Sequence, residues 1–213
     1  MGKFILIFMV ISKFNNSPAK RSLDVVVSTF SLLITSPLIL LITILIRLSS
    51  QGPVFFLQKR TGKNGKVFKI IKFRTMVANA ARIQSRYKKM NEADGPVFKI
   101  RDDPRFTKFG KLLSRTGFDE LPQMINVLRG EMSIVGPRPL PINEVHKLTA
   151  KQRIRELVKP GVTSSWVIAG SHELSFKEWM DLDRKYVEKA SLTGDLLIIL
   201  KTIILMGGYI LKH

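Results

Sequence analysis

Asp119 and Glu120 stand side by side in Phe118-Asp119-Glu120-Leu121-Pro122-Gln123, and Val135-Gly136-Pro137-Arg138-Pro139 follows shortly after. Acidic residues are scarce in this chain, whose formal net charge is +19. A carboxylate among cations has its charged form favoured and its pKa lowered. That suits a nucleophile or a metal ligand better than a proton donor. The same residues also read as an Asp N-cap, a Glu in the first turn and Pro122 just inside a helix. Arg138 is held between two prolines that restrict its backbone, and its planar fork matches a phosphate bidentately; pairing with Glu131 or Glu144 is the plainer alternative. Lys72 and Arg74 alternate with Phe73, so on a strand both face one side, toward a ligand or toward solvent.

The elements that must position these groups begin with an apolar run. From Val25 to Ile46 there is no charged residue, and the stretch is long enough for a hydrocarbon core of about 30 Å. Ser36-Pro37 interrupts its centre, where proline removes a hydrogen bond to the Leu33 carbonyl and predicts a kink. The hydroxyls of Thr35 and Ser36 are placed to satisfy the freed backbone. Lys13, Lys20 and Arg21 precede the run, and Arg47, Lys59, Arg60, Lys63 and Lys66 follow it. Basic flanks on both sides favour a helix that bends at Ser36-Pro37 and returns to the face it came from. Lys20 and Arg21 are expected to meet lipid or polyprenol phosphate, or to snorkel as anchors.

Beyond Gly52-Pro53 the pattern turns β-like, with residues 54–57 and 67–71 flanking an Asn64-Gly65 turn. Residues 76–90 read as a basic helix and 106–113 as an amphipathic one, facing the core or, as its basic rim favours, lying in the membrane interface. Further helices are expected over 119–128, 143–158 and 176–189, and an apolar one over 195–211. Trp166 and Trp179 are interface anchors or core residues. The fold class is α+β and mostly helical. Residues 1–19 form a lead-in, 20–50 the membrane helix and 51–213 the catalytic domain.

Composition narrows the chemistry. Cysteine is absent and the three histidines have no metal-ligand spacing, so a zinc enzyme is excluded. Every charged side chain from Arg47 to Lys89 is basic, which admits nucleic acid, anionic lipid or a phosphorylated substrate as partner. The neighbouring apolar helix favours lipid headgroups and phosphates over nucleic acid. A non-catalytic basic protein of the membrane surface is the competing class.

An ordered set of motifs now carries a resemblance. It comprises Lys20-Arg21 with Asp24, Ser36-Pro37, Gln58-Lys59-Arg60-Thr61-Gly62, Lys72-Phe73-Arg74-Thr75-Met76 and Arg105-Phe106-Thr107-Lys108-Phe109-Gly110. Asp119-Glu120-Leu121-Pro122-Gln123, Val135-Gly136-Pro137-Arg138-Pro139 and Lys159-Pro160-Gly161-Val162-Thr163 complete it. The chain resembles the bacterial sugar transferase family, small monotopic phosphoglycosyl transferases acting on a polyprenol phosphate. The resemblance implies a re-entrant helix broken at Ser36-Pro37, on the cytosolic face of the bacterial inner membrane. It implies that Asp119 attacks the β-phosphate of a nucleotide-diphosphate sugar, a UDP-sugar by expectation, and that polyprenol phosphate captures the phosphosugar. Glu120 is implied as the partner of Asp119, and Mg²⁺ as the cofactor, with Asp119 as its ligand. Arg138, Lys72, Arg74, Lys59, Arg115 and Pro137 are the expected substrate-binding residues, and a homodimer is left open. The chain departs from the family pattern at Ser114 and at Ser171, where an arginine is usual.

Overall fold

Ser17 caps the first helix, α1 (Pro18–Ser49), by accepting from the Lys20 amide at 3.2 Å, with Pro18 at the first helical position. The computed structural model describes residues 17–170 and 174–212. The lead-in before Ser17, together with Ser171, His172, Glu173 and His213, lies outside them. Instead of breaking at Ser36-Pro37, α1 stays helical throughout. The Ser36 hydroxyl donates to the Leu33 carbonyl at 2.8 Å, standing in for the amide that Pro37 lacks.

Both ends of α1 rest on the same body. At its start, Lys20 is 2% exposed and pairs with Asp24 at 3.3 Å and with Asp195. Arg21 donates to the carbonyls of Val127 and Leu128, and Asp24 accepts from Ser133 and from the Ile134 amide. Contrary to the expectation from the sequence, Lys20 is therefore not a lipid contact, and the half-buried Arg21 is engaged by two carbonyls. A buried cation needs a partner, and both find theirs inside the protein. Near the other end, Ile42 and Ile46 are buried against Phe73 and Leu113. Between the two anchor points Phe30, Leu33, Ile34, Leu40 and Leu41 stay exposed.

Strands β1 (Phe55–Thr61) and β2 (Val67–Phe73) form an antiparallel hairpin in the register Phe55↔Phe73 to Thr61↔Val67. Its turn carries Asn64 at φ 55° and Gly65 at φ 75°, the left-handed geometry the Asn-Gly pair predicts. The expected helix over 76–90 is two short pieces, α2 (Ala80–Ile83) and a 3₁₀ segment (Gln84–Met90). The amphipathic helix is α3 (Lys108–Thr116), capped by the Thr107 side chain. Then come α4 (Gln123–Leu128), β3 (Ser133–Val135), α5 (Ile142–Val145) and a 3₁₀ segment (Gln152–Leu157). Strand β4 (Gly161–Thr163) pairs in parallel with β3. Last are α6 (Ser165–Ile168), α7 (Phe176–Lys189) and the apolar α8 (Leu192–Lys212).

Two further clusters make the core. Phe68 and Ile70 of β2 pack with Val127, Met132, Ile134, Val135 and Ile198. Leu140, Val145, Leu148, Trp166, Phe176, Trp179 and Met180 form the other. Trp166 and Trp179 are thus core residues rather than interface anchors. Tyr186 of α7, packed on the first of these, ties it to α1 by donating to Asp195, the partner of Lys20.

Candidate active site

Gly117 ends α3 at φ 76°, a left-handed position open to glycine, and swings the chain into a single 3₁₀ turn, Phe118–Glu120. Phe118 packs against the cluster that holds Ile42, Ile46 and Phe73, so apolar packing fixes the turn from below. Helix α4 starts only after it, with Pro122 at its N-cap position and no side-chain cap. Asp119 is therefore no helix cap. The single helix expected over 119–128 is divided because Pro122 cannot donate the hydrogen bond that would join the turn to α4.

The carboxylates sit in different surroundings although they are neighbours. Glu120 Oε1 accepts from Lys72 Nζ at 2.5 Å and from Arg138 Nη2 at 2.8 Å. Although burial opposes ionisation, Arg138 and Lys72 together hold Glu120 well below the usual carboxylate range. Asp119 is 7% exposed, and its nearest cation is Lys72 at 3.9 Å from Oδ2, with Arg138 acting from further off. Burial pushes its carboxyl up to about 6; Lys72 opposes this and the negative charge of Glu120 adds to it. This corrects the expectation that surrounding cations lower the pKa of Asp119. They are spent on Glu120, while desolvation governs Asp119. Environments that drive two adjacent carboxyls apart assign them different work. Glu120 is the anion that both cations engage, and Asp119 is the carboxyl left less compensated.

Each cation is held from behind. Lys72 is the penultimate residue of β2, whose outer edge is satisfied by Asn126: its amide donates to the Lys69 carbonyl and its oxygen accepts from the Ile71 amide. Arg138 leaves a loop clamped by close backbone approach. A Cβ on Gly161 would lie 2.1 Å from the Gly136 nitrogen, and Pro137, buried, accepts from the Gly161 amide at 3.0 Å. Arg155 donates to the Arg138 carbonyl and pairs with Asp183 at 3.0 Å. The guanidinium of Arg138 lies 5.7 Å from the centre of Trp166, and that of Arg155 lies 5.4 Å from the centre of Trp179. The two indoles stack at 4.5 Å, so the arginines bracket an aromatic pair that fixes the loop.

The structure brings Asp119, Glu120, Lys72, Arg138 and Pro137 together and leaves three expected residues elsewhere. Arg74 lies just past β2, buried, and donates to the Ser50 carbonyl and hydroxyl at 2.8 Å, closing the end of α1. Arg115 is an exposed partner of Asp102 at 2.7 Å. Lys59 is exposed opposite Lys69, on the other face of the hairpin from Lys72. Arg115→Ala and Lys59→Ala are accordingly expected to keep kcat/KM within about twofold of the parent, as surface changes away from a site usually do; a nucleotide-release assay checks both.

Arg60, expected from the sequence as a membrane flank and as part of the Gln58–Gly62 motif, was not among the expected substrate-binding residues. It donates to the Pro139 carbonyl at 2.9 Å and to Gln58 at 2.6 Å, supporting the Arg138 loop. Burial, with Arg138 nearby, pushes it down to about 10. Counting back from the Asn-Gly turn pairs Arg60 with Phe68 and Phe56 with Lys72, which puts Arg60 on the Lys72 face. That signal was present in the sequence. Gln123, 1% exposed, has no partner for its amide nitrogen among the described residues, one helical turn beyond Asp119.

The donor set bears on magnesium. Among the described residues no cluster of three or more His, Asp or Glu could cage a metal. Mg²⁺ ordinarily takes one or two carboxylates and completes its shell with water and substrate phosphate oxygens. A buried aspartate whose nearest cation, Lys72, stands 3.9 Å away supplies that kind of ligand.

The sequence model described as bacterial sugar transferase matches residues 15–208. The chain is 40% identical to the exopolysaccharide production protein ExoY of Sinorhizobium fredii, over 87% of this chain and 84% of that protein. It is 39% identical to the galactosyl transferase CpsE of Streptococcus agalactiae, over 92% of this chain and 44% of the relative. With the UDP-glucose:undecaprenyl-phosphate glucose-1-phosphate transferase of Escherichia coli it shares 38% identity, over 88% of this chain and 40% of the relative. The chain thus spans most of one of these relatives and less than half of the other two.

Proposed function

The chain belongs to the bacterial sugar transferase family and is a phosphoglycosyl transferase, and we propose that it moves a phosphosugar from a nucleotide-diphosphate sugar to undecaprenyl-type polyprenol phosphate. The observation that carries this reading is the split pair: Asp119 buried and under-compensated beside a Glu120 clamped by Lys72 and Arg138. An Asp119 oxygen attacks the β-phosphorus. The bond from that phosphorus to the bridging oxygen breaks, and the oxygen leaves on the nucleoside monophosphate. A phosphate oxygen of the polyprenol phosphate then attacks the same phosphorus, and the acyl phosphate bond breaks to restore the carboxylate. Arg138 and Lys72, fixed in advance by Glu120, meet the charge on the transferred phosphoryl group. Mg²⁺, with Asp119 as protein ligand, would neutralise the diphosphate of the donor.

The membrane side follows from α1. Its 32 residues would extend roughly 48 Å at the ordinary helical rise, yet both ends hold one body. This favours a helix that dips into the bilayer and returns, with the catalytic body on the cytosolic face of the inner membrane. Exposed Leu196, Leu197, Leu200, Ile203 and Ile204 of α8 are available to the same lipid surface.

The test supplies purified protein in detergent or nanodiscs with UDP-galactose or UDP-glucose, undecaprenyl phosphate and Mg²⁺, and follows UMP release. No release with these or any other nucleotide-diphosphate sugar sinks the proposal. Because Asp119 must be ionised to attack and its carboxyl is raised to about 6, kcat/KM for the donor is expected to rise with pH up to about 6 and level off above it. A profile already flat from pH 4.5 upward contradicts that assignment.

A further inference from the structure

Arg138 sits in Pro137-Arg138-Pro139, and the two prolines leave that stretch a single backbone N–H. Its carbonyls must therefore carry the anchoring, and all three accept, each from a different element. The Pro137 carbonyl takes the Gly161 amide of β4 at 3.0 Å, and the Pro139 carbonyl takes Arg60 Nη1 of β1 at 2.9 Å. The middle carbonyl, on Arg138 itself, takes Arg155 Nη2 from the 3₁₀ segment Gln152–Leu157. This anchor lies on the residue whose guanidinium meets Glu120 at 2.8 Å.

Arg155 is in turn aimed by α7. It is 5% exposed, and burial works against its charge; Asp183 is foremost among the groups that favour that charge, followed by Glu156 and Glu144. Asp183, 2% exposed, pairs with Arg155 Nη2 at 3.0 Å, the same nitrogen that reaches the Arg138 carbonyl. Trp179 and Met180, one turn earlier, complete the cradle. The guanidinium lies 5.4 Å from the Trp179 ring centre, and Nη1 lies 3.8 Å from the Met180 sulfur. Residues 179, 180 and 183 share one helical face, and Ser175 and Glu178 cap that helix reciprocally. A fixed carboxylate thus orients one cation, which fixes the backbone of a second.

Resting on the transferase reading, we propose that Asp183 is a positioning residue for phosphosugar transfer: through Arg155 it holds the Arg138 carbonyl, and so sets the Arg138 guanidinium against the phosphoryl group that Asp119 attacks. No bond forms or breaks at Asp183 or Arg155. Their effect falls on the transition state, where Arg138 meets the charge of the transferred group, rather than on donor binding. Asp183→Asn is expected to lower kcat about tenfold, with the donor KM within about twofold of the parent. The loss stays below the roughly hundredfold that a misplacement of about 1 Å can cost, because the Pro137 and Pro139 carbonyls keep their anchors.

The test combines steady-state kinetics of UMP release, melting temperatures and a crystal structure. A second variant guards against misfolding: Arg155→Met with Asp183→Leu removes both charges and leaves neither unpaired, and such replacements of a buried pair often keep stability. This paired variant is expected to melt near the parent and yet to lose kcat about tenfold. In an Arg138→Ala background, Asp183→Asn should add less than about twofold, since the side chain it positions is gone. In a crystal structure of the paired variant, Arg138 Nη2 should leave its 2.8 Å contact with Glu120 by on the order of 1 Å. Parent-like kcat in a stable paired variant overturns the proposal. So does a full tenfold further loss in the Arg138→Ala background, which would mark Asp183 as acting through general stability. A change confined to the donor KM overturns it as well. Absence of UMP release from every donor with the parent protein sinks the transferase reading instead. The position of the Arg138 guanidinium then still decides the matter, and an unmoved one overturns the proposal.

Discussion

Asp119→Asn is expected to reduce phosphosugar transfer by at least about a thousandfold while the protein stays folded. The loss follows from removing the atom that forms the covalent bond; enzymes stripped of a nucleophile fall by several orders of magnitude. Stability should hold because burial, the largest influence on the Asp119 carboxyl, works against its charge. A neutral amide of the same shape no longer bears that desolvation, so the melting temperature stays level or rises slightly. Intact-protein mass spectrometry after incubation with UDP-sugar and no acceptor should show a phosphosugar adduct on the parent and none on the variant. Equal UMP release from both proteins would remove Asp119 from the chemistry.

Glu120→Gln should fail differently, by losing stability and activity together. One oxygen of Glu120 holds both Lys72 and Arg138. Without its charge, two neighbouring cations are left facing each other with Asp119 as the remaining anion. Removing one partner of a fully buried ion pair costs about 3–5 kcal/mol. The side chains here are 13%, 19% and 31% exposed, so about 2–3 kcal/mol is the scale after screening. Transfer should drop roughly a hundredfold as the cations lose their alignment on the phosphoryl group. The pH inflection assigned to Asp119 should move below 6, because Glu120's charge no longer raises it and Lys72 is freed to pair with it. Chemical denaturation and a pH–rate profile check these two outcomes. An unchanged inflection would mean that the two carboxyls do not share the cations in the way described.

How much of this was legible in the residues differs from one feature to the next. The hairpin followed from Asn64-Gly65, since a left-handed turn is a local requirement that few residues meet. Helix α7 appeared over 176–189 as its periodicity predicted, and Ser36 satisfied the Leu33 carbonyl as its position suggested. The adjacency of Asp119 and Glu120, and the proline-bound Arg138, point to phosphate chemistry from residue type and spacing alone. The partners of Arg74 and Arg115 were not legible, because charge and alternation say what a side chain can bind, not which partner is nearer. Ser50 claims one and Asp102 the other. Lys20 was misjudged for the same reason, its partner Asp195 being 175 residues away.

The sequence by itself therefore determined the family, the apolar helix, the hairpin and the adjacency of Asp119 and Glu120, all of which rest on contiguous residues. Only the tertiary structure decided which carboxylate is clamped and which is left raised, that Arg60 backs the Arg138 loop, and that Asp183 reaches it through Arg155. Those outcomes depend on desolvation and on charges brought together across long loops, and neither quantity exists until the chain has folded.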